Sequence, residues 1–217
     1  MSELISTEDA LAQIAKIENE IRKGGVIVLP IPGSYIYLVD AFNPVAVKKM
    51  HQLRGAEEGV AASVVIGKAA TLNGIAKSNS EIVSLANKFW PGPLTILVEP
   101  NPALSWNLGD DGELGEFAVQ IPNSELLLTL ANNIGPLAFA SAAAAGKGAA
   151  KSLDDVSALI EEIAIYVDNG SIPTSEKTTV VRSKDIGSKG VEIVRIGAIS
   201  LGQIQEIIPE ISLAELG

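Results

Sequence analysis

The stretch NKFWPGPLTILVEP, residues 87–100, allows few local arrangements. Pro91 and Pro93 have no amide hydrogen to donate, so a helix reaching Trp90 must stop there. The apolar LTILV that follows is too short for a helix of its own and reads as a buried strand. The same alternation runs through the chain. VIVLP (26–30), SYIYLVDAF (34–42), VAASVVIG (60–67), FAVQIP (117–122), PLAFASA (136–142), IAIYVDNG (163–170), TTVVRS (178–183) and VEIVRIGAIS (191–200) read as strands. In the second of these, Tyr35 and Tyr37 share a face.

Helical patterns lie between them. In STEDALAQIAKIENEIRKGG (6–25), Ser6 and Asp9 have capping spacing, and Gly24 or Gly25 supplies the stop. Asn43 and Pro44 open PVAVKKMHQLR, two short helical segments lead to Trp90, and Asn123 or Ser124 caps ELLLTLANNI. SLDDVSALIEE (152–162) reads as a helix, as does SLGQIQEII capped by Ser200. The Gly-, Asp- and Asn-rich NPALSWNLGDDGELGE (101–116) reads as an exposed loop without the ligand spacing of a calcium hand. Strands and helices intermixed in this way predict an α/β fold, one domain over 1–217 with a twisted mixed sheet.

Composition narrows the chemistry. Hydrophobic residues make up 47% and charged residues 19%, enough for a large core. There is no cysteine, hence no disulfide and no thiolate nucleophile or ligand, and the one histidine, His51, cannot form a histidine pair on a metal. His51 reads as a partly exposed residue near a helix end. A net charge of −10 argues against a broad nucleic-acid face, which needs clustered cations. No apolar run is long enough to span a membrane, and the acidic N-terminus lacks the order of a signal peptide, so a cytoplasmic protein is expected.

Generic motifs fail one by one. SAAAAGKG (141–148) suggests a phosphate loop, but Ser141 stands where the first glycine belongs and Gly148 where the magnesium-binding hydroxyl belongs. GKGAAK lacks the third glycine of a dinucleotide loop, and no G-x-S-x-G elbow occurs. The Glu-Glu and Asp-Asp doublets fall in loops and helix starts, where solvated charge suffices to explain them.

One longer pattern remains. FWPGPLT followed by a strand resembles the YrdC-like family, the threonylcarbamoyl-AMP synthases. GGVIVLPIPGSYIYLVDA resembles its G-G-x-x-x-x-P-T-E-T-V-Y-G-L-G-x-D-A segment, HQLRG its K-x-R, FAVQIPN its A-V-R-x-P, and SAAAAGKGAA its S-x-N-x-S-G. TTVV and RIGAIS resemble its S-T-V-V and R-P-G-A-I strands, and the likeness covers roughly residues 10–205. The resemblance implies a sheet around a concave, positively lined cavity that joins L-threonine, bicarbonate and ATP with Mg. The product serves transfer-RNA modification, and members are also described as binding double-stranded RNA. Carried over by position, Arg54 and Arg195 would be catalytic, and Tyr35, Ser141, Lys147, Thr178 and Thr179 would bind nucleotide or substrate. No metal ligand among the protein's side chains is expected.

The departures from the pattern share a direction. Ile31 and Gly33 replace the two threonines of P-T-E-T, Pro32 the glutamate, and Ile36 the glycine after V-Y. Gln52 replaces the lysine of K-x-R, Gln120 the arginine of A-V-R, Ala143 an asparagine and Ala145 a serine. Losing the lysine and arginine alone would remove on the order of 3–6 kcal/mol of phosphate binding. That is roughly a hundred- to ten-thousand-fold in affinity. Lys48, Lys49 or Lys147 would have to compensate. The expectation is lost or severely weakened synthesis with a residual ligand-, RNA- or partner-binding role. An active synthase and a double-stranded RNA-binding module stand as alternatives.

Overall fold

The computed structural model describes residues 2–56, 59–110, 113, 115–157, 162–184 and 190–211. Ten strands form one mixed sheet: β1 (Glu3–Ser6), β2 (Val26–Ile31), β3 (Ser34–Asp40), β4 (Ser63–Val65), β5 (Leu94–Val98), β6 (Phe117–Gln120), β7 (Leu137–Ser141), β8 (Ile163–Asp168), β9 (Thr179–Ser183) and β10 (Val191–Arg195). Their order across the twisted sheet is β1-β8-β2-β3-β7-β4-β6-β5-β9-β10. Among the described residues seven α-helices accompany them: α1 (Thr7–Ala10), α2 (Ile14–Arg22), α3 (Pro44–Arg54), α4 (Leu72–Ile75), α5 (Ser80–Phe89), α6 (Glu125–Ile134) and α7 (Leu201–Gln205).

Both faces of the central strands are buried, and alternate residues feed different cores. Val26, Val28, Tyr35, Tyr37 and Val39 join Met50 of α3 and Leu85 of α5 on one face. Ile27, Leu29, Ile36 and Leu38 meet Ile17 and Ile21 of α2 and Leu127 and Leu130 of α6 on the other. Tyr35 and Tyr37 therefore do share a face. Among the described residues no helix is long and apolar enough to cross a membrane.

Three local expectations need correction. The first helix is two pieces, because residues 11–13 form a turn between α1 and α2. Ser6 accepts from the Asp9 amide at 3.1 Å and so caps only the short first piece, while β1 before it pairs with β8. The SLDDVSALIEE helix is not formed over 152–157: Leu153–Asp155 make a single tight turn, and Val156 is extended. Residues 158–161 of that stretch lie outside the described residues. The supposedly exposed 101–116 loop buries Trp106, Leu108 and Asp110. Trp106 packs edge-on against Phe42 and Phe117, at 5.2 and 5.3 Å between ring centres. The loop's polar tip composition hid an apolar anchor.

Candidate functional site

The PGP segment does more than end α5. Trp90 Nε1 donates to Leu94 O at 2.8 Å, and Gly92 N to Ile121 O at 2.8 Å, which ties the bend to the end of β6. A Cβ on Gly92 would lie 2.3 Å from Phe89 O, so the bend admits no side chain there. This places Gly92 and Pro93 beside Gln120, whose strand partner across β5–β6 is Thr95.

At the same sheet end, Thr95 Oγ1 donates to Thr178 Oγ1 at 2.8 Å. Arg195 reaches Thr178 from β10, where the register with β9 shifts between Ile193 and Arg195. Its Nη2 donates to Thr178 O at 2.9 Å and to Thr178 Oγ1 at 3.2 Å, and its Nε to Thr178 O at 3.3 Å. Gly197 lets the next turn close on this group, since a Cβ there would lie 2.1 Å from Lys177 O.

Together these elements enclose a cavity of about 340 Å³. Its walls are Ile31, Pro32, Pro93, Pro122 and Ala198, with Gln120, Asn123, Ser175 and Thr178 as polar groups. Among the described residues Glu176 is the single charged side chain in the lining, and no described lysine or arginine contributes to it. An adjoining hollow of about 360 Å³ shares Ile31, Pro32, Asn123 and Ser175. Ser175 sits over Gly33: a Cβ on Gly33, whose φ is +85°, would lie 2.1 Å from Ser175 Oγ.

The alanine stretch lies elsewhere. Ala142, Ala143 and Ala150 are buried, Ala142 N donates to Tyr35 O at 3.0 Å, and Tyr35 N donates to Ala150 O at 2.8 Å. Methyl groups are what such a packed turn needs. Lys147, which is exposed, lines a separate hollow of about 450 Å³ with Ala143, Ala144, Lys151 and Ser157. Lys151 Nζ crosses to Gly33 O at 2.6 Å, linking this loop to the β2–β3 turn.

The residues singled out from sequence thus separate into three groups. Thr178 lines the cavity and Arg195 is hydrogen-bonded to it. Arg54, Ser141 and Lys147 belong to the alanine turn: Arg54 O accepts from Ala145 N at 2.9 Å, and Ser141 Oγ accepts from Ala143 N at 3.4 Å. Arg54 Nε is buried without a hydrogen bond. Tyr35 and Thr179 are fully buried, with hydroxyls committed to the fold. Tyr35 Oη donates to Gly170 O at 2.9 Å, lies 3.1 Å from Asp168 Oδ1, and accepts from Asn169 N at 2.8 Å. Burial raises its pKa above the usual tyrosine value, and the Asn169 amide works against that. Thr179 Oγ1 donates to Ile199 O at 2.7 Å and accepts from the amides of Gly197 and Ile199 at 2.8 and 3.0 Å.

Of the compensating lysines, Lys49 donates to Glu162 O at 2.9 Å in a groove with Lys16 and Lys23. Lys48 and Lys49 are absent from the cavity lining, as Lys147 is. His51 is half-buried, and its Nε2 donates to Leu108 O at 2.9 Å, anchoring the 101–110 loop. Sequence reasoning missed Asn123, Ser175 and Glu176 as lining groups. Asn123 carried only a capping signal, and residues 171–177 carry no periodic pattern at all.

The family model Sua5_yciO_yrdC, described as "Telomere recombination", matches residues 19–197. A Mycobacterium leprae protein, provisionally named a threonylcarbamoyl-AMP synthase, is 27% identical over 197 residues, 90% of this chain and 87% of that one. The crystal structure of Pyrococcus abyssi Sua5 complexed with L-threonine superposes with a TM-score of 0.82 at 24% identity. That match covers 99% of this chain but 62% of the P. abyssi protein, so the present chain spans less than two thirds of it. Escherichia coli YciO gives a TM-score of 0.76 at 17% identity, over 94% of this chain and 98% of its own. With the same ten-stranded frame and a sequence match over most of its length, the chain belongs to the Sua5/YciO/YrdC family.

Proposed function

We propose that this is a cytoplasmic Sua5/YciO/YrdC domain, related to the transfer-RNA threonylcarbamoyladenosine pathway, in which ATP-dependent threonylcarbamoyl-AMP synthesis is lost or severely weakened. Its cavity persists as a binding site for a ligand other than a nucleoside triphosphate. One observation carries this reading: the cavity is lined by proline, isoleucine and neutral amides, with Glu176 as the one charge among the described residues. A triphosphate needs several charge-assisted hydrogen bonds, and pyrophosphate release needs cations where negative charge develops. Gln120 supplies neither. Arg195 already directs Nε and Nη2 to Thr178.

The rival reading, an active synthase, draws on Arg54, Lys147 and Lys151 around the alanine turn, and on the unpartnered Arg54 Nε in particular. It requires Mg·ATP, L-threonine and bicarbonate to meet across the Lys151–Gly33 contact. Double-stranded RNA binding has weaker footing, because Lys16, Lys23, Lys77 and Lys184 are each paired with a glutamate.

Calorimetric titration with Mg·ATP, with and without L-threonine and bicarbonate, separates the readings. The expected result is no binding heat up to millimolar nucleotide and no pyrophosphate release. Micromolar binding strengthened by threonine, or turnover abolished in Arg54→Ala, would overturn the proposal. The variant Gln120→Arg is expected to raise affinity for pyrophosphate roughly ten- to hundredfold, the effect of one restored charged hydrogen bond.

A further inference from the structure

We propose that residues 173–176 form a movable strap between the two adjoining hollows. Seated on Gly33, the strap divides one groove in two; lifted, it joins both halves into a single larger site. Both ends of the segment are fixed. Ile172 is buried, and its N donates to Lys151 O at 2.7 Å. At the far end Lys177 O accepts from Ala198 N at 2.9 Å, two residues before the buried Thr179. Between these anchors Pro173, Thr174, Ser175 and Glu176 are all exposed and belong to no helix or strand. None of the four makes a hydrogen bond or ion pair with another described residue. Moving them breaks no bond of the fold, whereas moving either anchor would expose buried groups. A short unbonded segment between fixed ends is the build of a hinged closure.

The seat is bare backbone. A Cβ on Gly33 would lie 2.1 Å from Ser175 Oγ and 3.2 Å from Ser175 Cβ, so the strap comes down where any side chain would hold it off. Lys151 fixes that seat. The residue whose carbonyl anchors Ile172 also sends its Nζ to Gly33 O at 2.6 Å. Hinge and seat are thus tied to one lysine, while strap and seat meet through packing without a hydrogen bond. Packing of one small side chain is a weak closure, suited to opening.

The strap's position decides the size of the site. Ser175 lines both hollows, of about 340 and 360 Å³, together with Ile31, Pro32 and Asn123, so these four residues form the ridge between them. Ile31 ends β2, Pro32 follows it, and Asn123 leads into α6. Ser175 is the one member of the ridge carried by the unbonded segment. Lifting it opens the ridge on one side and makes room for a ligand larger than either hollow holds. The inference concerns access to the cavity and applies whether or not nucleotide chemistry is lost.

The chain has no cysteine, so Thr174→Cys places a single trifluoromethyl label on the strap of the full chain. ¹⁹F NMR is expected to show exchange between two environments, closed and open. Lys151→Met frees the seat without adding bulk and should raise the open-to-closed ratio at least threefold. Gly33→Thr puts a side chain in the place of Ser175 and should raise it at least tenfold. Adding Ser175→Gly to Gly33→Thr should bring the ratio back toward closed. If Gly33→Thr does not fold, Lys151→Met decides alone. A single environment in the unaltered chain, or a ratio that the folded variants leave within twofold, would overturn the strap. No nucleotide enters these measurements, so their outcome is separate from that of the Mg·ATP titration.

Discussion

Two polar regions lie within a few residues of one another and obey opposite rules. Beneath the sheet end, Thr179 and Tyr35 are fully buried, and each hydroxyl serves three groups of the fold. At the cavity, the side chains of Gln120, Asn123 and Ser175 are lining groups that hydrogen-bond no described residue. Thr178 and Thr179 mark the boundary, consecutive residues that strand alternation sends to different sides. A buried group bonded to the main chain cannot be replaced without orphaning its partners. A cavity group bonded only to a ligand can change once the ligand does.

The largest effect expected from this contrast is at Thr179. Thr179→Val would leave the amides of Gly197 and Ile199 buried without an acceptor, destabilising the fold by about 3 kcal/mol. Gln120→Leu should cost less than about 0.5 kcal/mol, since it removes no bond of the fold. Urea denaturation of the two variants checks the contrast, and equal midpoints would break it.

Gly33 sharpens the boundary. Gly33→Thr places a Cβ against Ser175 Oγ at a φ of +85°, and should destabilise by about 2 kcal/mol. Adding Ser175→Gly should recover about half, because the contact is relieved and the backbone strain is not. Thermal denaturation of the single and double variants measures the split.

A smaller effect than those at Thr179 and Gly33 is expected at Tyr35, and it has a pH signature. Tyr35→Phe removes the bonds to Gly170, Asn169 and Asp168, for a loss of about 1–2 kcal/mol at neutral pH. Burial raises the Tyr35 pKa in the folded protein, so above about pH 10 the unfolded chain ionises first. The Tyr35 contribution is complete below that pH and is lost as pH rises toward the folded value. Stability of the unaltered protein should therefore fall more steeply than that of Tyr35→Phe in alkaline titrations. Parallel curves would remove Tyr35 from the buried, saturated class.

How legible these features were depends on the range of the interactions that make them. The PGP stop, the Asn43–Pro44 start and the alternation that puts Tyr35 with Tyr37 are local, and the sequence shows them plainly. Residues 101–116 misled because turn composition describes the backbone, whereas Trp106 finds Phe42 and Phe117 across long sequence separations. The SLDDVSALIEE stretch has good helical spacing, yet Ser157 N donates to Ala142 O at 2.9 Å, a tertiary bond that competes with a continuing helix.

By itself, the sequence determined the α/β class and the family, since both are written in short-range patterns and residue identities. Only the tertiary structure decided that Lys147 and Arg54 gather at the alanine turn while Gln120 and Thr178 meet at another opening. It also decided that Ser175 fills the place left by Gly33. These are approaches between segments far apart in the chain, set by sheet order and backbone closeness, and a linear string of residues holds no record of either.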